Sequence, residues 1–355
     1  VSNHSPAKIF WKKLRRNKGA VFGFAIILLA IFTALFAYVL APDHTPDANR
    51  IIVEIAAKKP GYRQQFFKLK KENVTPAGNF LSGKTDLYTY IPITGWHANN
   101  DSISIDKYVD EGIIEKQSYR HNTPESAATV ETKTFWLGTD KFGRDILSRL
   151  IIGTRVSLGV GFIAVLISLT VGIFLGAVAG YFRGKTDDVV MWFVNVVWSI
   201  PTLLLVFAIT LALGKGYWQV FIAVGLTLWV NVARLVRGQV LSIRELNYIE
   251  ATKAMGFSSA RTIIRHILPN ILGPVLVIAA SNFASAIVIE AGLSFLGLGV
   301  QPPQPSWGLM IKENYNFIIT NNPMLAIAPG IAIMLLVLAF NLLGNGLRDV
   351  LDVRN

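Results

Sequence analysis

An all-α polytopic membrane protein with about six transmembrane helices, carrying one extracytoplasmic α/β or loop-rich insertion, is the fold class this sequence predicts. Three observations predict it. Hydrophobic residues make up 52% of the chain and charged residues only 16%, with a mean hydropathy of +0.46. Apolar stretches near 20–41, 156–180, 189–213, 217–236, 271–299 and 323–343 each reach the ~20 residues that a helix needs to cross a bilayer. Basic residues are distributed unevenly between the segments that join these stretches. Six (Lys8, Lys12, Lys13, Arg15, Arg16, Lys18) precede the first stretch. Alternation then places Arg183, Lys185, Arg234, Arg237, Arg244, Lys253, Arg261, Arg265, Arg348 and Arg354 on that same side. The positive-inside rule makes this side cytoplasmic, with both termini on it. The net charge of +12 is thereby a topology signal and gives no support to nucleic-acid binding, which would need a basic soluble face.

Residues 1–41 form a basic tail and a first span. The apolar run ends in Val39-Leu40-Ala41, which imitates a signal-peptide cleavage site, but it exceeds the ~7–15 residues of a signal core and reads as an uncleaved span. Residues 42–135 differ abruptly in composition, holding twelve Lys/Arg and twelve Asp/Glu. Strands are expected at Ile51 to Ile55 and Leu87 to Ile93, a core around Phe66, Phe67 and Trp96, a turn at Asn99-Asn100-Asp101, and weak order between 95 and 130. Within this insertion Gly78-Asn79-Phe80-Leu81-Ser82-Gly83-Lys84-Thr85 fits the phosphate-loop pattern G-x-x-x-x-G-K-[ST]. That pattern cradles phosphate only when a buried strand enters the loop and a helix leaves it. Charged residues and Pro76 precede it, and a strand-like alternation follows, so no nucleotide site is expected there.

Residues 136–355 hold the remaining five spans and a polar loop at about 245–270. Asn247 is placed to cap a short helix with Glu250 as its third residue, Tyr248, Ala251 and Met255 share one face, and Gly256 supplies the stop. A second helix can restart at Ser258 or Ser259, with Ile263, Ile264, Ile267 and Leu268 as its apolar stripe and Arg261 and Arg265 opposite; Pro269 is expected to end it. A polar, helix-forming loop between membrane-length apolar runs reads as a docking surface. Ser199-Ile200-Pro201 is expected to kink the third span, Asp145 and Arg149 to pair four apart on a short surface helix, and Trp307 to sit at an interface. Glu290 is the clear ionisable residue within a span, expected to pair locally near the outer end of the fifth. The chain lacks cysteine, H-E-x-x-H and G-x-S-x-G, and its five histidines show no metal-ligand spacing. Neither an enzyme active site nor a cofactor or metal is therefore expected.

Glu250, Ala251, Thr252, Gly256, Arg265, Leu268 and Pro269 lie in a segment that resembles the cytoplasmic EAA loop of ABC importer permeases, E-A-A-x-x-x-G followed by a hydrophobic run ending in L-P. Thr252 stands where the pattern has its second alanine. Trp136-Leu137-Gly138-Thr139-Asp140, Phe142 to Arg149 and Gly153 to Leu158 resemble the segment before the second span in C-type permeases of the dipeptide, oligopeptide and nickel importer family. Glu290 to Gly299 and Pro302 to Gly308 resemble that family's late signature. The insertion is longer than the connection usual there. The resemblance implies a fold like that of type I ABC importers and a bacterial inner-membrane location. It implies a homologous second permease subunit enclosing an alternating-access pathway, two ATP-binding ATPase subunits docked on the 245–270 loop, and an extracytoplasmic solute-binding protein. Peptides are the expected substrate; nickel or another small solute is the alternative, and an ion-coupled secondary transporter would leave the loop unexplained.

Overall fold

A computed structural model describes residues 6–71, 74–98, 102–120, 129–214, 216–319 and 322–351. The expected turn at 99–101 lies outside them. The chain divides into two compact units. Among the described residues, five helices are long and apolar enough to cross a membrane, and a sixth crossing is supplied if a bent pair counts as one span.

The first unit comprises 1–31, 157–301 and 332–355. The basic tail is itself a helix, α1 (Pro6–Arg16). Asn17 separates it from α2 (Lys18–Leu35): its Oδ1 accepts from the N–H of Ala20 at 3.0 Å and its Nδ2 donates to Asp349 at 2.9 Å. α2 is joined to α3 (Ala37–Leu40) at Phe36. The second span is α4 (Ile146–Phe182), one 37-residue helix that absorbs the separate surface helix expected around Arg149. α5 (Gly184–Trp198) and α6 (Thr202–Leu213) meet at an angle of 92°, so the expected kink at Ser199–Pro201 is a full break. α7 (Tyr217–Arg244) is the most buried span and extends eight residues beyond the expected end.

Close approach of α4 to α7 comes from glycines four apart. A Cβ on Gly172 would lie 2.5 Å from Val232 Cβ, one on Gly176 2.5 Å from Ala233 O, and one on Gly180 2.9 Å from Arg237 O. α2 meets α12 (Met324–Leu351) in the same way, Gly23 against Ala339 and Gly346 against Ala20. The short loop helices α8 (Asn247–Ala254) and α9 (Ser259–Thr262) lead into α10 (Leu268–Phe295). Glu290 is buried in α10 and accepts from Ser294 Oγ at 2.6 Å, the local pairing expected for it. α10 ends at Phe295, four residues before the expected limit of the span, and the chain turns at Gly297 (φ +85°).

The second unit comprises 32–156 and 302–331. Its insertion, expected as α/β or loop-rich, is sheet-rich, and the described part contains no α-helix between 42 and 135. β1 (Tyr62–Lys70), β4 (Tyr88–Ala98), β5 (Ser102–Asp110), β6 (Ile113–Arg120) and β7 (Thr129–Phe135) form an antiparallel sheet in the order β6-β5-β4-β1-β7. Two of these strands occupy 102–120, where weak order was expected. Period-two alternation sends Phe66 to a core with Ile52, Ile55 and Phe135, and Phe67 to the opposite face with Ile93, Ile103 and Ile105. Trp96 is exposed and takes no part in that core. Ile51 to Ile55 forms no strand: its end, Val53–Ile55, is a single 3-10 turn. β2 (Gly78–Asn79) and β3 (Gly83–Lys84) pair as a hairpin. The phosphate-loop-like segment is therefore a β-turn between paired strands, with no helix leaving it. α11 (Trp307–Asn314) follows α10; Trp307 is buried, donating from Nε1 to Leu150 O at 3.0 Å, so it is no interfacial residue.

Candidate functional site

The polar loop between α7 and α10 is built by two helix stops and one wide turn. α8 begins at Asn247, with Leu246 in the capping position and no side-chain cap, so the expected Asn247 capping box does not form. Its C-terminus follows the expectation closely. Gly256, at φ +77°, donates to Lys253 O at 2.9 Å, and Phe257 donates to Thr252 O at 3.0 Å. These two bonds are the Schellman closure, which a left-handed residue allows and which satisfies carbonyls left open by the helix end. Ser258 then caps α9, its Oγ accepting from the N–H of Arg261 at 3.4 Å.

Pro269 does not terminate the second helix. Residues Ile263–Ile267 form a π-type turn in which Leu268 donates to Ile263 O, and the helix continues through Pro269 into α10. The wider turn accommodates the proline ring and the N–H it lacks, so the second loop helix and the fifth span form one rod from Ser259 to Phe295.

Burial separates the loop residues into anchors and a free face. Ile249 and Thr252 are the buried positions of α8, and Thr262 and Ile267 those of the following segment. Ile249 and Ile267 belong to one apolar cluster with Ala177 and Tyr181 of α4, Val232, Val236 and Val240 of α7, and Ile271 and Val275 of α10. Thr252 Oγ1 donates to Ile249 O at 2.7 Å and stands 3.3 Å from Thr262 Oγ1, tying the two small helices together. The threonine in place of the second alanine thus adds a polar pin within a small volume. Lys253 reaches towards the Tyr181 ring, 5.6 Å from its centroid, and Arg261 covers Phe257 at 4.2 Å.

The opposite face is exposed. It carries Glu250, Ala251, Arg265 and Pro269, with Leu268 half-buried beside them. Large apolar side chains lie among them: Met255 is 63% and Ile264 66% exposed, and Leu246 and Tyr248 are nearly half exposed. The face defined by Tyr248, Ala251 and Met255 in the sequence is real, but it is the free face. Ile267 anchors from the apolar stripe expected of the second helix, whereas Ile264 on that same stripe is exposed; Ile249 lies outside the face expected of the first helix, its signal being the Ile249–Thr252 spacing of three, hidden behind a more apolar neighbouring face. The loop is thus firmly seated on one side and leaves a cluster of exposed apolar groups on the other.

Residues 172–355 match the family model described as the inner membrane component of binding-protein-dependent transport systems, and residues 5–60 match the N-terminal TM domain of oligopeptide transport permease C. The dipeptide transport system permease protein DppC of Bacillus subtilis is 38% identical over 308 residues, covering 86% of this chain and 90% of that protein. The glutathione transport system permease protein GsiD of Pectobacterium atrosepticum is 43% identical over 217 residues, covering 61% and 72% respectively. Among solved structures, the MetNI methionine ABC transporter in an inward facing conformation aligns with 57% of this chain and 95% of its own, at 20% identity and a TM-score of 0.48. The chain belongs to the family of inner membrane components of binding-protein-dependent transport systems, the permease subunits of ABC importers.

Proposed function

We propose that this permease imports peptides, with a homologous second permease completing the pathway, two ATPase subunits docking on the free face of the 245–270 loop, and a solute-binding protein delivering substrate from the extracytoplasmic side. The observation that carries the coupling role is the division of the loop: Ile249 and Ile267 are set in the same apolar cluster as three spans, while Tyr248, Met255 and Ile264 remain uncovered. A partner that displaced the free face would move helices, since packed interiors transmit displacement and deform little. ATP hydrolysis belongs to the partner subunits, and this chain converts their closure into a change of access. Peptide substrates are supported by relatives whose names specify dipeptide and glutathione transport.

Two measurements test the proposal. In membranes reconstituted with the ATPases, partner permease and binding protein, di- and tripeptides are expected to stimulate ATP hydrolysis and to be taken up; stimulation by nickel and not by peptides would replace the substrate assignment. Glu250→Lys reverses a charge on the free face and leaves the anchors intact, so it is expected to lower co-purification of the ATPases and stimulated uptake together. Unchanged ATPase association in this variant would remove Glu250 from the docking surface.

A further inference from the structure

The phosphate-loop-like segment has a different use. Its tip, Phe80-Leu81, is apolar and about half exposed, at the end of a hairpin only two residues wide on each side. The Phe80 ring meets the Phe36 ring edge-on at 5.5 Å, and Phe36 lies 4.7 Å from Phe32. Those two residues end the first span: Phe36 is about 27 Å along the helix axis from Lys18 at 1.5 Å per residue, close to the far edge of a hydrocarbon core about 30 Å thick. Leu35, Val39 and Leu40 beside it are exposed and apolar. The hairpin is fixed in this place, with the backbone N–H of Lys84 donating to His44 O at 2.8 Å and the Arg155 guanidinium to Leu81 O at 2.5 Å, and Gly83 sitting too close to Tyr38 and His44 to admit a side chain.

The polar groups of the tip are arranged for a dry neighbour. Asn79 Oδ1 accepts from Leu81 N (2.9 Å), Ser82 N (2.8 Å) and Ser82 Oγ (2.9 Å), and Thr85 donates from both its N–H and its hydroxyl to Ala77 O. The Leu81 and Ser82 amides, which a phosphate loop would turn towards phosphate, are thus spent inside the turn. Backbone groups satisfied in this way can enter lipid without the cost of losing water, and the exposed Lys84 remains at the level where a cation meets phospholipid headgroups.

We propose that Phe80 and Leu81 are a membrane anchor, inserted into the bilayer surface beside the end of the first span and holding the sheet-rich insertion down onto the lipid. The occupant is lipid because the tip continues the aromatic row of a membrane-spanning helix. The proposal does not depend on which side of the membrane the insertion faces.

The test uses the full chain, which is free of cysteine, in lipid nanodiscs. Single cysteines replacing Phe80, Leu81 or, as a reference on the far strand β6, Lys116 carry an environment-sensitive fluorophore. At Phe80 and Leu81 the emission is expected to shift to the blue, to be quenched by phosphatidylcholine bearing a nitroxide high on its acyl chain, and to lose quenching by aqueous iodide; at Lys116 the pattern reverses. Iodide quenching at the tip equal to that at Lys116 would overturn the proposal. So would a tip shielded from both quenchers, which would place it against protein. Because a label could itself favour lipid, Phe80→Asp with Leu81→Asp in the unlabelled chain is a second arm: protease cleavage of the insertion in nanodiscs should accelerate, and an unchanged rate would also count against the anchor.

Discussion

Asp140 accepts from the N–H groups of Phe142 (2.8 Å) and Arg144 (3.0 Å) through one oxygen and holds Arg144 Nε at 2.6 Å with the other. Arg144 continues to Glu313 at 2.8 Å, and the buried Arg149 approaches the same carboxylate at 3.4 Å. Sequence spacing instead suggested an Asp145–Arg149 pair, but Asp145 lies just before α4 and accepts from Ser148 N at 2.8 Å, as a helix cap does. Removing one member of a buried ionic cluster strands the others, so Asp140→Ala is expected to cost about 3–5 kcal/mol, read as a large fall in the melting temperature of the purified chain. The exposed Arg63→Ala should leave it nearly unchanged. Lys133 offers a pH-dependent counterpart. Burial, with Arg50 nearby, pushes its pKa down from 10.5 to about 8, and its Nζ stands 4.2 Å from the centroid of the Tyr90 ring. The folded chain therefore binds this proton more weakly than the unfolded chain does. Below about pH 8 the half-buried cation is a constant destabilising cost, and stability contributed by this site rises as pH goes from about 8 towards 10.5. Competitive acylation should show the Lys133 amine becoming reactive with a midpoint near 8; a midpoint at the ordinary lysine value would contradict the burial argument.

Among the elements, those governed by local chemistry were legible and those governed by tertiary packing were not. Gly256 announced its stop because a left-handed turn residue after a short helix has one common use, and a bend at Pro201, though not its full 92°, followed from a missing N–H. The continuity through Pro269 was hidden, since a π-type turn leaves no compositional mark. The five-stranded sheet was largely hidden as well: strands such as Tyr62–Lys70 carry polar residues on exposed positions of both faces, so period-two alternation is blurred. In α8 the sequence pointed to the more apolar face, whereas Ile249 is what the spans hold. Ile249→Ala would leave the free face intact and open a cavity in the shared cluster, at about 2–5 kcal/mol locally. The ATPases should still co-purify with this variant while substrate-stimulated hydrolysis and uptake fall together. Normal stimulation would show that the anchor is not needed for transmission.

For the whole molecule, the uneven distribution of Lys and Arg predicts which side each segment faces. In intact cells whose outer barrier has been opened, Lys116→Cys in the insertion is expected to react with a membrane-impermeant thiol reagent, and Ser258→Cys in the loop only after lysis. The reverse pattern would invert the orientation and remove the loop from the reach of cytoplasmic ATPases. If this loop couples the permease to ATP hydrolysis, Gly256→Pro should break the coupling. Proline fixes φ near −65° where the chain adopts +77°, and it deletes the N–H that closes onto Lys253 O, a combination costing about 3 kcal/mol or more at the turn. Gly256→Asn, which tolerates the left-handed conformation, is the control and should stay near normal. The decisive measurement is substrate-stimulated ATP hydrolysis by the reconstituted transporter. Gly256→Pro should still reach the membrane yet lose stimulation and uptake; full stimulation and uptake in that variant would contradict the coupling role of the loop.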